Sequence, residues 1–505
     1  MAKFINPVVP GVAPDPSVCR VGNDFFLATS TFDFWPGIPV RHSTDLVHWE
    51  LIGHAATRPA QLRPDGEHGD FVLFAPTLRY HDGTFFVVCT NTAPRDPALG
   101  QSGGTIGNFI VHTDDPAGDW SDAAWVDAAA FDPSLTFADG TCYYTRRSLD
   151  LADVPAGLGP VVQGEVNPFT GALSRDLRPV TAGQTGFCSN DIEGPHLYKI
   201  GSWYNLFAAE GGTQKGHMQT IARGPSPYGP FEPAPHNPIL THRHLVLHPI
   251  QCTGHAELIE APDGTWWALF LATRAGRLQG PDLLGRETFL APVRWQDGWP
   301  VIGDDGTVSL ELEAPALSAA TGRLASVSPW LSGWSTRLHP VDGLSFEGPR
   351  MEVPVTAASL DGSGTVSAAF QRQLEHRASF TATVVASPPA AATGITAYAG
   401  PENHFDLSVS GADRARRVTL RRRAADLVAE QSVPVPGAGP IRLAIECDGA
   451  AYHVTADGAA VGAGSAWLLD AQWAPGFGSV RLGVFASGPQ QGWAVFDSVG
   501  GEHVG

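Results

Sequence analysis

The 505-residue sequence predicts an all-β protein, a five-bladed β-propeller followed by a C-terminal β-sandwich. Two observations carry this prediction. A turn followed by an aromatic strand recurs five times before residue 275, and a second set of alternating strands follows a change of composition after Val308. The length is too great for one ordinary core, which is consistent with two domains.

The repeated element places a glycine in a turn and a run rich in Phe, Tyr or Trp directly after it. The five glycines are Gly22, Gly83, Gly140, Gly201 and Gly264, separated by 61, 57, 61 and 63 residues. Each interval can hold a four-stranded sheet, and Asp-Gly between β-rich segments is typical of a hairpin. Repeats of this length that close around an axis predict the propeller.

Charge and composition exclude several classes of protein. The formal net charge of −19 argues against nucleic acid or an anionic membrane as partner, and we interpret the basic run at 414–423 as a solvated strand face. No apolar run is long enough to span a membrane, and the N-terminal residues do not resemble a secretory leader, so a cytoplasmic location is expected. The six cysteines lack metal-ligand spacing and are predicted to be buried thiols.

The residues seven to nine positions before each repeat glycine are the candidate functional positions. They are Asp15, Ala75, Asp132, Glu193 and His255. Because equivalent positions on the innermost strands face the central channel, three carboxylates and an imidazole are expected to converge there. The alternative for any one Asp-Pro-Ser sequence is an ordinary Asx turn, but three carboxylates in register favour function, since clustered acids cost stability.

Glycosidic cleavage is the chemistry that such a cluster suits. It needs one carboxylic acid to protonate the leaving oxygen and one carboxylate to activate water. Glu193 has the longer reach and is assigned as the acid, Asp15 as the base, and Asp132 as the group that modulates the pKa of the acid. Carboxylates on different blades leave room for water, which favours inversion.

The sequence around these residues resembles glycoside hydrolase family 43, in particular its two-domain β-xylosidase and α-L-arabinofuranosidase members. The matching segments follow the family's order across nearly all of residues 1–305. They are 6–11, 14–17, 29–32, 42–49, 132–135, 193–196, 210–213, 237–241, 253–256 and 284–288.

The resemblance implies an inverting mechanism with the same roles for Asp15, Asp132 and Glu193. It also implies a sugar pocket that contains Arg286, although without the resemblance this arginine would be interpreted as part of a surface ion pair. Phe74 stands where many members carry Trp. The residues expected to bind substrate are Phe32, Phe74, Ala75, Phe131, Thr213 and Arg286.

His255 is expected at the channel centre, where many members of the family hold calcium or a water cluster. Calcium prefers oxygen donors, so waters would have to supply most of the coordination. A structural or electrostatic role for His255 is the alternative. No organic cofactor is expected.

The second domain resembles the C-terminal sandwich of the two-domain members, giving predicted domains 1–315 and 316–505. Phe477 is the candidate for a contact from this domain to the propeller mouth, with a core position as the alternative. A mouth closed on one side predicts exo-acting release of β-D-xylose or α-L-arabinofuranose from xylo-oligosaccharides or arabinoxylan fragments. The alternatives are an endo-acting arabinanase-like enzyme, a non-catalytic carbohydrate-binding propeller or a protein-binding scaffold. The sequence leaves open whether the protein forms a homo-oligomer.

Overall fold

The computed structural model describes residues 2–62, 71–92, 105–128, 130–148, 161–181, 192–276, 280–317, 328, 330–362, 365–412, 415–435, 437–472 and 478–504. Within these ranges the chain is almost entirely β, and its only helices are two short 3-10 turns, Pro59–Gln61 and Ala466–Leu469. The described part of the chain contains no helix that could span a bilayer.

Five antiparallel four-stranded sheets make up the first part of the chain. The first blade comprises β2 (Ser17–Val21), β3 (Asp24–Ala28), β5 (Gly37–Ser43) and β6 (Glu50–Ala56), and the second comprises β7 (Val72–His81), β8 (Thr84–Thr92), β9 (Thr105–Thr113) and β10 (Ala124–Asp127). The third comprises β11 (Ser134–Ala138), β12 (Thr141–Arg147), β13 (Val161–Val166) and β14 (Leu173–Pro179). The fourth comprises β15 (Ile192–Ile200), β16 (Trp203–Glu210), β17 (Met218–Gly224) and β18 (Glu232–Pro233), and the fifth comprises β19 (Ile250–Glu260), β20 (Trp266–Arg274), β21 (Glu287–Gln296) and β22 (Trp299–Ile302).

The first strands of the blades, β2, β7, β11, β15 and β19, contact one another in a closed ring. This confirms the predicted propeller. The repeat glycines form the hairpins that follow these strands; at Asp82-Gly83 and Asp139-Gly140 both residues have positive φ, as a two-residue hairpin turn requires. Neighbouring blades are joined by apolar clusters, such as that of Phe207, Ile250 and Phe270 between the fourth and fifth.

The N-terminal segment fastens the first blade to the fifth. The Asn6 side chain donates to the Leu290 carbonyl and accepts from the Leu290 amide, both at 2.9 Å. Thr288 Oγ1 donates to the Ala13 carbonyl at 2.6 Å. A two-stranded ribbon of β1 (Lys3–Ile5) with β23 (Glu311–Glu313) completes this closure.

The second part of the chain forms two packed sheets, as the predicted sandwich requires. The seven-stranded sheet contains β25 (Ser345–Glu347), β26 (Arg350–Pro354), β37 (Trp493–Val504), β28 (Arg377–Ala386), β33 (Ile441–Asp448), β34 (Ala451–Ala456) and β35 (Ala459–Ser465). The six-stranded sheet contains β27 (Ala368–Arg372), β36 (Arg481–Ser487), β29 (Ala392–Gly400), β30 (Asn403–Ser410), β31 (Arg417–Ala424) and β32 (Leu427–Pro434). One continuous apolar cluster fills the space between them.

The two parts are joined by direct pairing. The short strands β4 (Phe34–Trp35) and β24 (Thr336–Arg337) form a bridge between propeller and sandwich. Arg337 Nε donates to Asp33 Oδ2 at 2.7 Å beside it. The sandwich is therefore held against the propeller next to residues 32–35.

The prediction of buried thiols is confirmed for the five cysteines that the structure describes. Cys19, Cys89, Cys142, Cys252 and Cys447 are free and buried. Cys188 lies outside the described residues.

Candidate active site

Each innermost strand carries one residue with left-handed backbone geometry at the channel. These residues are Asp15 (φ 54°), Ala75 (φ 52°), Asp132 (φ 56°), Gly194 (φ 53°) and His255 (φ 49°). The conformation is unfavourable for residues other than glycine, and such strain concentrates at functional sites. Four of the five are followed by proline, and the fifth, His255, by Ala256.

The fourth position differs from the sequence-based register. Gly194, and not Glu193, is the equivalent of Asp15 and Asp132, so Glu193 lies one residue earlier on its strand. The reason is that the distance from this position to the repeat glycine varies among the blades: Gly201 follows Gly194 by seven residues, whereas Gly140 follows Asp132 by eight and Gly264 follows His255 by nine. Glu193 therefore enters the site from a different direction than the two aspartates.

Asp15 is buried and surrounded by donors. Ser30 Oγ donates to Asp15 Oδ2 at 2.5 Å, His255 Nδ1 lies 3.3 Å from Oδ1, and Arg286 Nη1 lies 3.6 Å from the same oxygen. Burial acts to raise the pKa of Asp15, but Arg286, His255 and Ser30 together hold it well below its ordinary value. Asp15 is thus a carboxylate over the whole working range of pH.

His255 is the cationic partner in this cluster. Burial acts to lower its pKa, but the hydrogen bond and charge of Asp15, with the charges of Asp132 and Glu193, raise the pKa of His255 to about 9. Gly194 packs against the ring, since a Cβ placed on Gly194 would lie 2.8 Å from His255 Nε2. A side chain at residue 194 would displace the imidazole.

Asp132 connects the aspartate positions to Glu193. Its Oδ2 accepts a hydrogen bond from the Gly194 amide at 2.9 Å, and its own amide donates to Thr90 Oγ1 at 3.2 Å. Burial and the charge of Asp15 raise the pKa of Asp132, although His255, the Gly194 amide and Arg147 oppose the change. Asp132 therefore holds the backbone directly after Glu193.

Glu193 contacts Arg147, a residue that the sequence analysis missed. Arg147 Nη1 donates to Glu193 Oε2 at 3.1 Å, and both side chains are largely buried. Arg147 ends β12, the strand next to the one that follows Asp132. Its only signal in the sequence is its position at the end of an aromatic repeat strand.

Aromatic side chains surround the carboxylates. The Phe74 and Phe131 rings meet edge to face at 6.0 Å, and the Arg147 guanidinium lies 5.0 Å from the Phe131 ring centre. Phe32 has a left-handed backbone (φ 55°), and its ring lies 5.7 Å from the Arg286 guanidinium. These contacts bring four of the predicted substrate-binding residues around the carboxylate cluster.

Ser30 is a second residue that the role assignment missed, although it lies in the matched segment 29–32. Besides donating to Asp15, its hydroxyl accepts a hydrogen bond from the Ala75 amide at 2.7 Å. It thereby joins the first two innermost strands. Ala75 is itself buried, and its contribution to this contact comes from its backbone.

A buried histidine supports the strand that carries His255. His217 Nδ1 lies 3.1 Å from the Cys252 carbonyl, at a residue with left-handed backbone geometry. Burial is the main cause that lowers the pKa of His217 to about 3, and the charges of His255 and Arg286 add to it. The ring packs on Gly254, where a Cβ would lie 2.7 Å from His217 Nε2.

Two predicted substrate-binding residues are not joined to the cluster by these contacts. Thr213 is half-buried in the connection between β16 and β17. Phe477 lies outside the described residues. Their contacts with sugar stay predictions.

A second polar layer lies two residues further along the same strands, at Ser17, Thr77, Ser134, His196 and Glu257. Glu257 is fully buried and accepts from Ser17 Oγ at 2.8 Å, from the Val18 amide at 3.2 Å and from Arg79 Nη1 at 3.0 Å to each oxygen. His196 Nδ1 lies 3.1 Å from the same carboxylate. This layer fills the channel beneath the active-site cluster.

The residues near His255 do not by themselves fit a calcium ion. His255 already bonds to Asp15, and its raised pKa favours the protonated ring, which has no free electron pair for a metal. The nearby Glu257 is occupied by Arg79. No group of three His, Cys, Asp or Glu ligands occurs among the described residues. Calcium stays a prediction, and no step below depends on it.

Comparison with known proteins assigns the two parts of the chain to families. Residues 4–300 match the model of the glycosyl hydrolases family 43, and residues 344–500 match that of the β-xylosidase C-terminal concanavalin A-like domain.

Related proteins of similar length carry both pentosidase names. A non-reducing end α-L-arabinofuranosidase of Bacteroides ovatus is 37% identical, with 97% of this chain and 92% of that protein covered. A xylosidase/arabinosidase of Humicola insolens is 29% identical over 89% of this chain and 86% of its own. The crystal structure of a xylan β-1,4-xylosidase from Bacillus halodurans superimposes with a TM-score of 0.86 at 27% identity, covering 98% and 99% of the two chains. The chain therefore belongs to glycoside hydrolase family 43.

Proposed function

We propose that the protein is an inverting, exo-acting pentosidase that releases β-D-xylose, α-L-arabinofuranose or both from xylo-oligosaccharides or arabinoxylan fragments. The observation that carries the proposal is geometric: the carboxyl groups of Asp15, Asp132 and Glu193 lie in one buried cluster with the cations of His255, Arg286 and Arg147. The pKa of Asp15 is lowered and the pKa of Asp132 is raised, next to a third carboxyl group at Glu193. Environments that separate the pKa values of neighbouring acids are typical of acid–base catalysis.

Asp15 acts as the general base. Its carboxylate stays ionised, as a base that accepts a proton from water must be. The same cations that keep Asp15 ionised also weaken its basicity, so orientation of the water has to contribute to catalysis. Ser30 and Arg286 occupy both sides of the carboxylate and fix its plane.

Glu193 acts as the general acid and protonates the glycosidic oxygen of the leaving group. It lies at the start of β15, and Arg147 Nη1 donates to its carboxyl group at 3.1 Å. Asp132 positions this acid through the Gly194 amide. Its negative charge also acts against ionisation of Glu193 and so opposes the effect of the Arg147 guanidinium, which favours the carboxylate.

The remaining contacts bind the terminal sugar. Arg286 and His255 present N–H donors to its hydroxyls, and the Phe32, Phe74 and Phe131 rings offer apolar surface to the face of a pentose. Relatives that carry the names xylosidase and arabinofuranosidase support both sugars as substrates. The two pentosides present similar hydroxyl groups, so one pocket can accept both.

The exo mode follows from the position of the sandwich. Leu283 accepts a hydrogen bond from the Val480 amide at 3.0 Å, three residues before Arg286, and a Cβ on Gly285 would lie 2.8 Å from the Gly478 carbonyl. Arg481 of the same domain contacts the first blade: its guanidinium lies 3.6 Å from the ring centre of Phe34, two residues after Phe32. The second domain thus borders the pocket, which limits entry to a chain end.

Initial rates on an aryl β-D-xyloside and an aryl α-L-arabinofuranoside test this proposal. We expect hydrolysis of at least one, and proton NMR of the first product should reveal the anomer inverted relative to the substrate. Absence of hydrolysis of both substrates, or a retained anomer, would overturn the proposal.

A further inference from the structure

A groove with a volume of about 570 Å³ lies between propeller and sandwich. Loops of the fourth and fifth blades form one wall. The short helix Ala466–Leu469 and the residues after it form the other. The side chains that matter for its chemistry are Lys215, Leu247, Gln251, Asp282, Trp467 and Asp470.

Two segments of the chain run from the groove to the candidate active site. Gln251 lies on β19 four residues before His255, and Asp282 lies four residues before Arg286. Four residues of chain span at most about 14 Å. The groove lining therefore begins within that distance of Arg286 and His255, close enough for the leaving-group side of a substrate held at the carboxylate cluster.

The lining combines an exposed tryptophan side chain with polar side chains beside it. Trp467 is 44% exposed, and Leu247 on the facing wall is 61% exposed. Large apolar side chains exposed together on a soluble protein mark a binding surface. An indole face is suited to the C–H face of a sugar ring, with polar groups beside it for the hydroxyls.

The charges of the groove suit a neutral ligand. The lining carries Lys215 together with the carboxyl groups of Asp282 and Asp470, and the charge of Arg274 is already paired with Glu287 and Glu375, so the groove has no excess of positive charge. A groove for phosphate or for an acidic chain would carry an excess of positive charge. A neutral oligosaccharide fits this balance.

Trp467 is held in place relative to the propeller. The Ala471 amide donates to the Asp282 carbonyl at 2.7 Å, and the Asp282 amide donates to Asp470 Oδ2 at 3.1 Å. Asn403 Nδ2 also donates to the Leu468 carbonyl at 2.8 Å within the sandwich. The backbone that carries the indole is thus fixed before any ligand binds, which limits the entropic cost of binding.

We propose that this groove binds the leaving-group side of the oligosaccharide substrate, with a distal sugar stacked on Trp467. The inference rests on the proposed function, because the ligand is the same chain whose terminal pentose is cleaved. It adds a contribution from the second domain to the recognition of substrate length.

Calorimetric titration of the inactive Glu193→Gln variant with xylobiose and xylotetraose tests the groove. We expect tighter binding of the four-unit chain, and we expect Trp467→Ala in the same background to weaken binding of that chain by roughly 3- to 10-fold. Trp493→Ala is the matched control, since this tryptophan of the sandwich is 48% exposed and lies outside the groove. It should leave both affinities as they were.

Leu247→Ser, on the opposite wall, provides a second variant with the same expected direction. Equal affinity of the parent for both chain lengths, or no effect of either groove substitution on xylotetraose, would overturn the inference. Aryl pentosides carry no distal sugars, so their hydrolysis by the wild-type enzyme tests the proposed function separately. A defect of folding would weaken binding of both chain lengths, whereas loss of the groove contact weakens the longer chain.

Discussion

Two polar layers of the central channel lie on the same strands but differ in the pairing of their charged groups. In the active-site layer, Asp15 and Asp132 have pKa values shifted in opposite directions, and His255 is held as a cation. In the layer two residues further along, the Glu257 carboxylate is fully buried and bound by Arg79, Ser17 and His196.

The difference between the layers lies in how their charges are paired. Glu257, in the layer two residues further along (the lower layer), receives a guanidinium and several other donors. The lower layer therefore closes the channel and has no reactive group. The active-site layer is the upper layer. In the upper layer three carboxyl groups share the cations of His255, Arg286 and Arg147. The upper layer should therefore determine the rate, whereas the lower layer should contribute to stability alone, and substitutions in each test this difference.

Asp15→Asn should have the largest effect, on catalysis. Removing the base should lower kcat by roughly 10²–10⁴-fold on both aryl pentosides, whatever the leaving group. Steady-state rates with circular dichroism as the check on folding measure this. A loss of less than 10-fold would mean that another group activates the water.

Glu257→Gln should act on stability instead. It leaves the buried Arg79 without its counter-charge, which should lower the free energy of unfolding by about 3–5 kcal/mol. Urea denaturation measures the change, and kcat of the folded enzyme should stay close to that of the wild type. A large fall in kcat without loss of stability would show that the lower layer takes part in the chemistry.

His255→Gln should change how stability depends on pH. The pKa of His255 is raised from 6.5 to about 9, so its contribution is fully present below about pH 6.5 and is lost as pH rises toward 9. The pKa of Asp15 is lowered from 3.8, so its contribution is present above about pH 4 and is lost at lower pH. The difference in unfolding free energy between wild type and variant should be greatest between about pH 4 and 6.5, on the order of 3 kcal/mol. A difference independent of pH would contradict the charged pair.

Gly194→Ala and Gly201→Ala form a pair that isolates the contact with His255. Both glycines have positive φ, at 53° and 59°, so each substitution should cost about 1–2 kcal/mol of stability. Only residue 194 faces His255, whereas a Cβ at residue 201 meets nothing within 4 Å. We expect kcat/KM to fall by roughly 10- to 100-fold for Gly194→Ala alone. Equal kinetics of the two variants would remove the positional role of Gly194.

The sequence predicted the parts of this architecture that repeat. Glycine spacing identified the blades, and it placed Asp15, Asp132 and His255 on equivalent strand starts. It misplaced Glu193 by one residue, because the distance from the channel residue to the turn glycine varies between seven and nine residues among the blades. Arg286 came from the family resemblance.

Contacts between blades were out of reach of the sequence. Arg147, Ser30 and Arg79 act through side chains whose partners Glu193, Ala75 and Glu257 lie 46, 45 and 178 residues away in the sequence. Nothing in the local pattern distinguishes such residues from ordinary strand residues. They become identifiable only when the ring of innermost strands is closed.

The division of roles between Glu193 and Asp15 is the central claim, and Glu193→Ala tests it most directly. The variant should be compared with wild type on a natural disaccharide and on an aryl pentoside whose phenol is strongly acidic. If Glu193 is the acid, kcat should fall by roughly 10²–10⁴-fold on the disaccharide and far less on the activated glycoside, which needs little protonation. Equal losses on both substrates would contradict the assignment.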